Sequence, residues 1–256
     1  MKILYVTDEW SQAGGAQHHL RDISTAIAGT GATVRIAAGR FADSCPFPVQ
    51  RVRALSSKVP SRRGLDSLGP WLKWADVVHV QNAMNPIALS LCSTTGKAVA
   101  TVQDHRLFCP GPGKTLPCGA ACREVFCEAA CTPCLPDRAY REKTIGLVRE
   151  RLGALAGSRT VALSRYMADE LSAAGIRGAE VIPPWVEPFD GLPAALRSGF
   201  LLAGRLVPHK AALAAYDAWR DSGTDEPLYV AGAGPLSRKM PLATQLGWME
   251  RADLRR

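Results

Sequence analysis

The chain has 256 residues, of which 47% are hydrophobic and 21% charged, a composition typical of globular domains with ample apolar material for a core. No apolar run reaches membrane-spanning length, and we find no internal repeat or low-complexity tract. The net charge of +8 favours anionic partners, but charge alone does not distinguish a phosphorylated substrate from acidic lipid or nucleic acid.

The amino-terminal segment is unlike a signal peptide, because the acidic residues Asp8 and Glu9 follow its short apolar run. We therefore expect a cytoplasmic protein whose eight cysteines are reduced thiols or metal ligands rather than a disulfide framework.

Short apolar runs alternate with helix-like segments along the first 186 residues. The predicted strands are residues 3–6, 34–38, 75–80, 98–102, 160–163 and 180–182. The predicted helices are residues 17–28, residues 166–174 and a charged helix that holds Glu142 and Glu150. This alternation predicts an α/β fold with right-handed crossovers and a doubly wound parallel sheet.

Pro183 and Pro184 interrupt the alternation, which restarts with a strand at 200–203, a helix at 211–219 and a strand at 228–231. We place a domain boundary near residue 187, between a first domain of residues 1–186 and a second of residues 187–256. A complete doubly wound domain is roughly twice as long as this second segment. We therefore expect the second domain to be truncated, with the final residues forming part of a helix.

Three short motifs each follow a predicted strand. Gly14-Gly15 stands before a helix whose N-terminal N–H groups suit phosphate, although a plain tight turn explains the pair equally well. Arg205 and Lys210 place two cations at a strand exit, where they can neutralise a diphosphate or lie solvated at the surface. Gly232 and Gly234 form a turn that a ligand can approach closely.

Taken together and in this order, the motifs resemble those of the family 4 glycosyltransferases, which have the two-Rossmann-domain GT-B fold. The similarity also includes Gln103-Asp104-His105 after the fourth strand and Ile182-Pro183 at the hinge. The resemblance implies that the first domain binds the acceptor and the second the nucleotide sugar, with Arg205 and Lys210 on its pyrophosphate. It further implies a Gly14-Gly15 loop lining the cleft, and transfer with retention that requires no divalent metal.

The resemblance also implies partners. The donor would be a UDP- or GDP-sugar, and the acceptor a lipid-linked or polysaccharide glycan of the cell surface or a small molecule. Peripheral association with the inner membrane face would suit the basic residues of segment 51–63, which also read as a solvated loop. No nucleic acid partner is expected.

The chain departs from the family pattern at the catalytic position. The family commonly has His-Asp after the fourth strand, whereas this chain has Gln103-Asp104 with His105 next to them. Either Gln103 substitutes as a hydrogen-bond donor or His105 acts from a shifted position. The family's Glu-x7-Glu pair is absent from the second segment, so we expect weak or no activity from these 256 residues alone.

Six cysteines crowd into residues 109–134 among prolines and glycines. Their spacing suits thiolate ligation of a structural Zn²⁺ or iron–sulfur cluster, and free or redox-labile thiols remain the alternative. The predicted ligands are Cys118, Cys122, Cys131 and Cys134.

Other side chains carry weaker expectations. His18 and His19, at the start of the first helix, are expected at capping or surface positions, or in contact with acceptor or phosphate. His79 is expected to be a hydrogen-bonded core residue. Trp10 and Trp185 are expected in loops, where they could stack on a sugar ring.

Two other function classes stay open. One is a non-catalytic module in which the cysteine loop and the basic segment bind metal or an anionic partner. The other is an unrelated Rossmann enzyme that uses NAD, although the chain lacks GxGxxG and an acidic residue at the end of its second strand.

Overall fold

The computed structural model describes residues 1–12, 14–186 and 198–254, and it divides into two compact units, Met1–Glu187 and Pro188–Arg256. The predicted boundary near residue 187 lies outside the described residues. Within the described ranges, no helix is both long and apolar enough to cross a bilayer.

The first unit is built on a seven-stranded sheet in which every neighbouring pair of strands is parallel. Its strands are β1 Lys2–Trp10, β2 Thr33–Phe41, β3 Val49–Arg51, β4 Val77–Gln81, β5 Ala98–Val102, β6 Arg159–Ala162 and β7 Glu180–Val181. Their order is β3-β2-β1-β4-β5-β6-β7, which confirms the predicted parallel, doubly wound sheet.

Helices connect these strands. They are α1 Gly15–Gly29, α2 Gly69–Trp74, α3 Pro86–Ser93, α4 Glu128–Cys131, α5 Arg138–Leu155 and α6 Arg165–Ala173. Short 3₁₀ helices occupy Arg53–Ser56, Leu65–Leu68 and His105–Leu107.

Strand β1 lies in the middle of the sheet, and its side chains alternate between two cores. Leu4 and Val6 belong to one buried cluster, while Ile3 and Tyr5 belong to the other, which also contains Leu20 of α1. This alternation follows from the two-residue repeat of a strand, and burial on both faces explains why residues 3–6 of β1 are all apolar. The sheet is therefore covered on both sides.

The direction of strand addition reverses at β1. The chain adds β2 and β3 on one side of β1 and then returns to add β4 on the other. In open parallel sheets, ligands bind in the crevice outside the carboxyl ends of the strands at such a switch point. The carboxyl ends of β1, β4 and β5 are therefore where the polar residues of a site are expected.

The second unit contains a three-stranded parallel sheet of order β10-β9-β8. Its strands are β8 Phe200–Ala203, β9 Leu228–Ala231 and β10 Thr244–Gly247. Helices α7 Ala212–Asp221 and α8 Arg251–Leu254 and the 3₁₀ helices Pro208–Lys210 and Ser237–Lys239 accompany them. A separate core forms around Leu206, Tyr216, Val230 and Met240.

A buried arginine on α5 ties together three loops at the carboxyl edge of the first sheet. Arg151 is 6% exposed, and its guanidinium donates to the backbone oxygens of Lys58, Met84 and Arg106 at 2.6, 2.9 and 3.3 Å. These carbonyls follow β3, β4 and β5 in the chain. The buried charge is thus solvated by the protein backbone, and the loops are held in fixed positions.

Replacing Arg151 by Met should lower the free energy of unfolding of the first unit by about 3 kcal/mol or more, because buried carbonyls lose their donors. Urea unfolding followed by circular dichroism measures the change. Arg149→Met, at an exposed position on the same helix, is the control and should shift stability by less than about 0.5 kcal/mol. Equal shifts in both variants would contradict the assigned role of Arg151.

Candidate active site

Gly14 makes the turn between β1 and α1 at the carboxyl edge of the first sheet. Its φ of 103° is unfavourable for residues with a side chain, and it stands as the N-cap of α1 without a side-chain cap. Gly15 begins the helix, and the His18 N–H donates to the Gly14 carbonyl at 3.1 Å. The first-turn N–H groups of a 15-residue helix therefore have no side-chain cap and suit an anionic group.

Gln103 lies just after β5, and its amide has a partner on each side. Its Nε2 lies 2.5 Å from Nδ1 of His19, and its Oε1 accepts from Nδ2 of Asn82 at 3.0 Å. The structure thereby joins α1, the end of β4 and the end of β5 through three side chains. His19 is 9% exposed, so the expectation of a surface or capping position is wrong for this residue.

Below this group, two strands supply a buried polar layer. His79 Nε2 lies 2.7 Å from Thr101 Oγ1, and the imidazole packs against the Tyr5 ring. Burial and, to a lesser extent, the nearby His19 together lower the pKa of His79 to about 4, so the ring is neutral at pH 7. The predicted hydrogen bond of His79 is confirmed, and its side chain is partly buried.

Asp104 is engaged by the neighbouring Arg106. The Arg106 Nη2 and Nε atoms lie 2.6 and 2.7 Å from Asp104 Oδ2, and the Arg106 N–H donates to Oδ1 at 2.9 Å. Burial acts to raise the pKa of Asp104, but the hydrogen bonds and charge of Arg106 outweigh it and lower the pKa. Asp104 is therefore an ionised carboxylate that caps the 3₁₀ helix His105–Leu107.

His105 lies against the cysteine-rich loop. A side-chain carbon placed on Gly113 would come within 3.1 Å of His105 Nδ1, and Gly113 has a φ of 84°. The three predicted catalytic residues are thus consecutive in sequence but have different surroundings. Gln103 contacts His19, Asp104 contacts Arg106, and His105 packs on the loop.

In the second unit, three basic residues follow β8. Arg205, His209 and Lys210 are all exposed. Slight burial lowers the pKa of His209, and the positive charges of Arg205 and Lys210 lower it further. Ala211, directly before α7, has a φ of 54°, a conformation that glycine adopts more readily.

The loops after β8 and β9 approach each other through glycines. A side-chain carbon on Gly232 would overlap the Gly204 carbonyl oxygen, and one on Gly234 would overlap that of Leu206. The Leu206 N–H donates to the Ala233 carbonyl at 3.0 Å. The structure therefore brings the predicted Gly232 and Gly234 against the segment that carries Arg205.

The cysteine-rich loop is fastened to α6 by a buried ion pair. Lys114 is 6% exposed, with Nζ 2.9 Å from Glu170 Oε2 and 2.7 Å from the Glu124 carbonyl oxygen, to which it donates. Its backbone N–H donates to Cys109 Sγ at 3.3 Å, and its φ is 59°. A single residue thus links a thiol, the loop and a helix.

Among the predicted metal ligands, Cys122, Cys131 and Cys134 are partly buried, whereas Cys118 is exposed. Burial and neighbouring cysteines raise the pKa values of Cys131 and Cys134. In the described part of the chain, no three Cys, His, Asp or Glu side chains form a metal-binding group. Metal ligation therefore stays a prediction from sequence.

The basic segment is held from below by Asn85, which is fully buried. Its Nδ2 donates to the carbonyls of Ala54 and Ser61 at 3.0 and 2.7 Å, and Arg151 binds the Lys58 carbonyl. The five basic side chains of the segment are all exposed: Arg51, Arg53, Lys58, Arg62 and Arg63. The backbone is thus fixed while the charges face solvent.

Several residues of this edge escaped prediction. Asn82 was detectable as a polar residue directly after a buried strand, but its φ of 59° was not. Lys114 gave no signal, because a lysine in an irregular loop is ordinarily solvated. Trp10 was predicted in a loop, yet it ends β1, is 1% exposed and donates from Nε1 to the Ser44 carbonyl, so that prediction is wrong. Trp185 is 41% exposed.

No protein-family model matches the chain, and no curated protein matches its sequence.

Solved structures share its fold. WaaG, a glycosyltransferase involved in lipopolysaccharide biosynthesis, matches with a TM-score of 0.59 and 14% identity over 98% of this chain and 71% of that chain. Alr3699/HepE of Anabaena, in complex with UDP, matches with a TM-score of 0.59 and 16% identity over 97% of this chain and 70% of that chain. Sucrose-phosphate synthase of Thermosynechococcus elongatus matches with a TM-score of 0.54 and 14% identity over 99% of this chain and 72% of that chain. The predicted α/β fold of the GT-B, Rossmann-like type is thereby confirmed.

The metal prediction can be tested on protein purified without a nickel affinity step. We expect at least one equivalent of Zn or Fe, and we expect Cys134→Ser to reduce it while Cys45→Ser, outside the loop, does not. Plasma emission spectrometry measures the metal. A metal content below one equivalent, with all eight thiols titrating freely, would contradict the prediction.

Proposed function

We propose that this protein transfers a sugar from a nucleotide-diphosphate sugar to an acceptor hydroxyl. The observation that carries the proposal is the group of Arg205, His209 and Lys210 beside the glycine loops after β8 and β9. Cations and closely approachable backbone at the carboxyl ends of parallel strands suit a diphosphate.

The chemistry of transfer explains why these groups are needed. Cleavage of the bond between the sugar and the diphosphate leaves an additional negative charge on the departing phosphate. A guanidinium can bind two phosphate oxygens at once, and a lysine ammonium adds a mobile positive charge. Both interactions strengthen as the charge develops, so they lower the barrier as well as hold the donor.

The structural neighbours support this choice of reaction. Alr3699/HepE of Anabaena was solved with UDP-glucose as well as with UDP. WaaG is a glycosyltransferase, and the present chain shares the fold of both. We propose a UDP- or GDP-sugar as the donor for this chain.

Retention of anomeric configuration without a divalent metal is part of the same proposal. Arg205 and Lys210 would supply the positive charge that a metal supplies elsewhere. NMR of the product would reveal the anomeric configuration.

The acceptor is proposed to be a glycan, free or lipid-linked, that binds at the carboxyl edge of the first unit. Gln103 and the N-terminus of α1 present polar groups at this edge. The basic segment 51–63 would bring the protein to an anionic membrane surface through its five exposed cations.

The donor site is tested by Arg205→Ala and Lys210→Ala. Each variant should weaken UDP binding about ten- to hundredfold, because each loses a charge-assisted contact of about 1.5–3 kcal/mol. Isothermal titration calorimetry with UDP and GDP measures the affinities.

Arg220→Ala is the matched control, since Arg220 lies in the last turn of α7 and pairs with Asp217 and Asp221. The Arg220→Ala variant should bind UDP with the affinity of the wild-type protein. Unchanged affinity in both site variants would remove the donor-site assignment.

Membrane association is tested by sedimentation with vesicles containing 30% phosphatidylglycerol. The double variant Arg62→Ser/Arg63→Ser should bind more than tenfold more weakly, at about 1 kcal/mol for each basic residue. The control Lys143→Ser/Arg149→Ser removes the same charge from exposed positions on α5. Equal losses in the two double variants would show a net-charge effect and refute a localised surface.

A further inference from the structure

Asn82 and His19 hold the side-chain amide of Gln103 between them, and the orientation of this amide determines which nitrogen of His19 carries a proton. Asn82 donates from Nδ2 to Gln103 Oε1 at 3.0 Å, so the oxygen of the Gln103 amide faces Asn82. The Gln103 Nε2–H group then faces His19 Nδ1 at 2.5 Å and must donate to it. A neutral His19 that accepts at Nδ1 carries its proton on Nε2.

The backbone around these residues favours the same arrangement. Asn82 adopts a left-handed conformation, with φ of 59°, and pairs with Thr7 across an isolated bridge between the ends of β4 and β1. A non-glycine residue in this conformation is held there by its surroundings, and such strain is concentrated at functional sites. Asn82 is 5% exposed, and its amide is aimed at Gln103.

The electrostatic surroundings keep His19 neutral. Burial lowers the pKa of His19, and the nearby Asp22 on the same helix acts in the opposite direction but does not cancel it. His79 on β4 is the other titratable group that interacts with His19, and it is itself neutral at pH 7. A neutral imidazole with a fixed Nε2–H is a hydrogen-bond donor of defined direction.

We propose that His19 is the imidazole that contacts the bound acceptor in the first unit, donating from Nε2 to a hydroxyl of the acceptor. Gln103 and Asn82 are positioning residues that set its tautomer. The inference rests on the proposed function and deepens it, because it names the residue of the first unit that meets the acceptor. His105, packed on Gly113 of the cysteine-rich loop, does not take this role.

The tautomer is tested without any assay of activity. In ¹⁵N-labelled protein at pH 7, long-range ¹H–¹⁵N spectra should show His19 neutral and protonated at Nε2. Gln103→Glu should raise the pKa of His19, because a carboxylate in place of the amide favours protonation of the ring. A ring protonated at Nδ1, or fully charged at pH 7 in the wild type, would overturn the inference.

Turnover is measured as release of UDP or GDP from UDP-glucose, UDP-galactose, UDP-N-acetylglucosamine and GDP-mannose, with added monosaccharide as the acceptor. His19→Ala should lower kcat at least tenfold and leave UDP affinity unchanged, while the control His18→Ala keeps both. His19→Gln, which restores a donor, should recover part of the loss. The acid limb of the pH profile should move to higher pH in Gln103→Glu.

The outcomes separate the two proposals. Activity that survives His19→Ala but is lost in His105→Ala overturns the inference and leaves the proposed function in place. A wild-type protein that binds neither UDP nor GDP overturns the proposed function, and this inference with it.

Discussion

The carboxyl edge of the first sheet depends on one buried cation. Arg151 is carried by α5, yet it binds backbone carbonyls that are 93, 67 and 45 residues away in the chain. A guanidinium removed from water must find acceptors, and Arg151 finds them in three loop carbonyls. The same three hydrogen bonds satisfy the guanidinium of Arg151 and hold the three loops in place. The positions of Asn82 and Gln103, which follow two of the tethered strands, are built on this arrangement.

Left-handed backbone at non-glycine residues of the described ranges lies in segments proposed to be functional. In the described ranges, the non-glycine residues with positive φ are Asn82, Lys114 and Ala211. Asn82 supports Gln103, Lys114 ties the cysteine-rich loop to Glu170, and Ala211 separates Lys210 from α7. Since such conformations cost of order 1–3 kcal/mol each, surrounding contacts must hold them. The hydrogen bonds of Asn82 and the ion pair of Lys114 are contacts of this kind.

The sequence predicted the sheet well, because buried parallel strands are continuous apolar runs with little ambiguity. It missed β3, whose residues Val49–Arg51 are mixed in polarity, and β10, which ends in glycine. The glycine turns were predictable because glycine is the residue type that most readily adopts positive φ. The contact between His19 and Gln103 was not predictable, because it depends on how α1 is rotated on the sheet and joins residues 84 positions apart. The burial of the Arg151 guanidinium was not predictable either, because an arginine on a helix is ordinarily solvated.

The glycine contacts of the second unit have a mechanical consequence. Gly232 and Gly234 leave no space between their loop and the one after β8, and hydrogen bonds from Leu206 to Ala233 and from Leu236 to Leu206 join the two. Neither loop can shift alone without collision or loss of those bonds. A ligand at the proposed Arg205 site would therefore meet two loops that are already joined to each other. Less chain freedom would then be lost on binding than if the two loops moved independently.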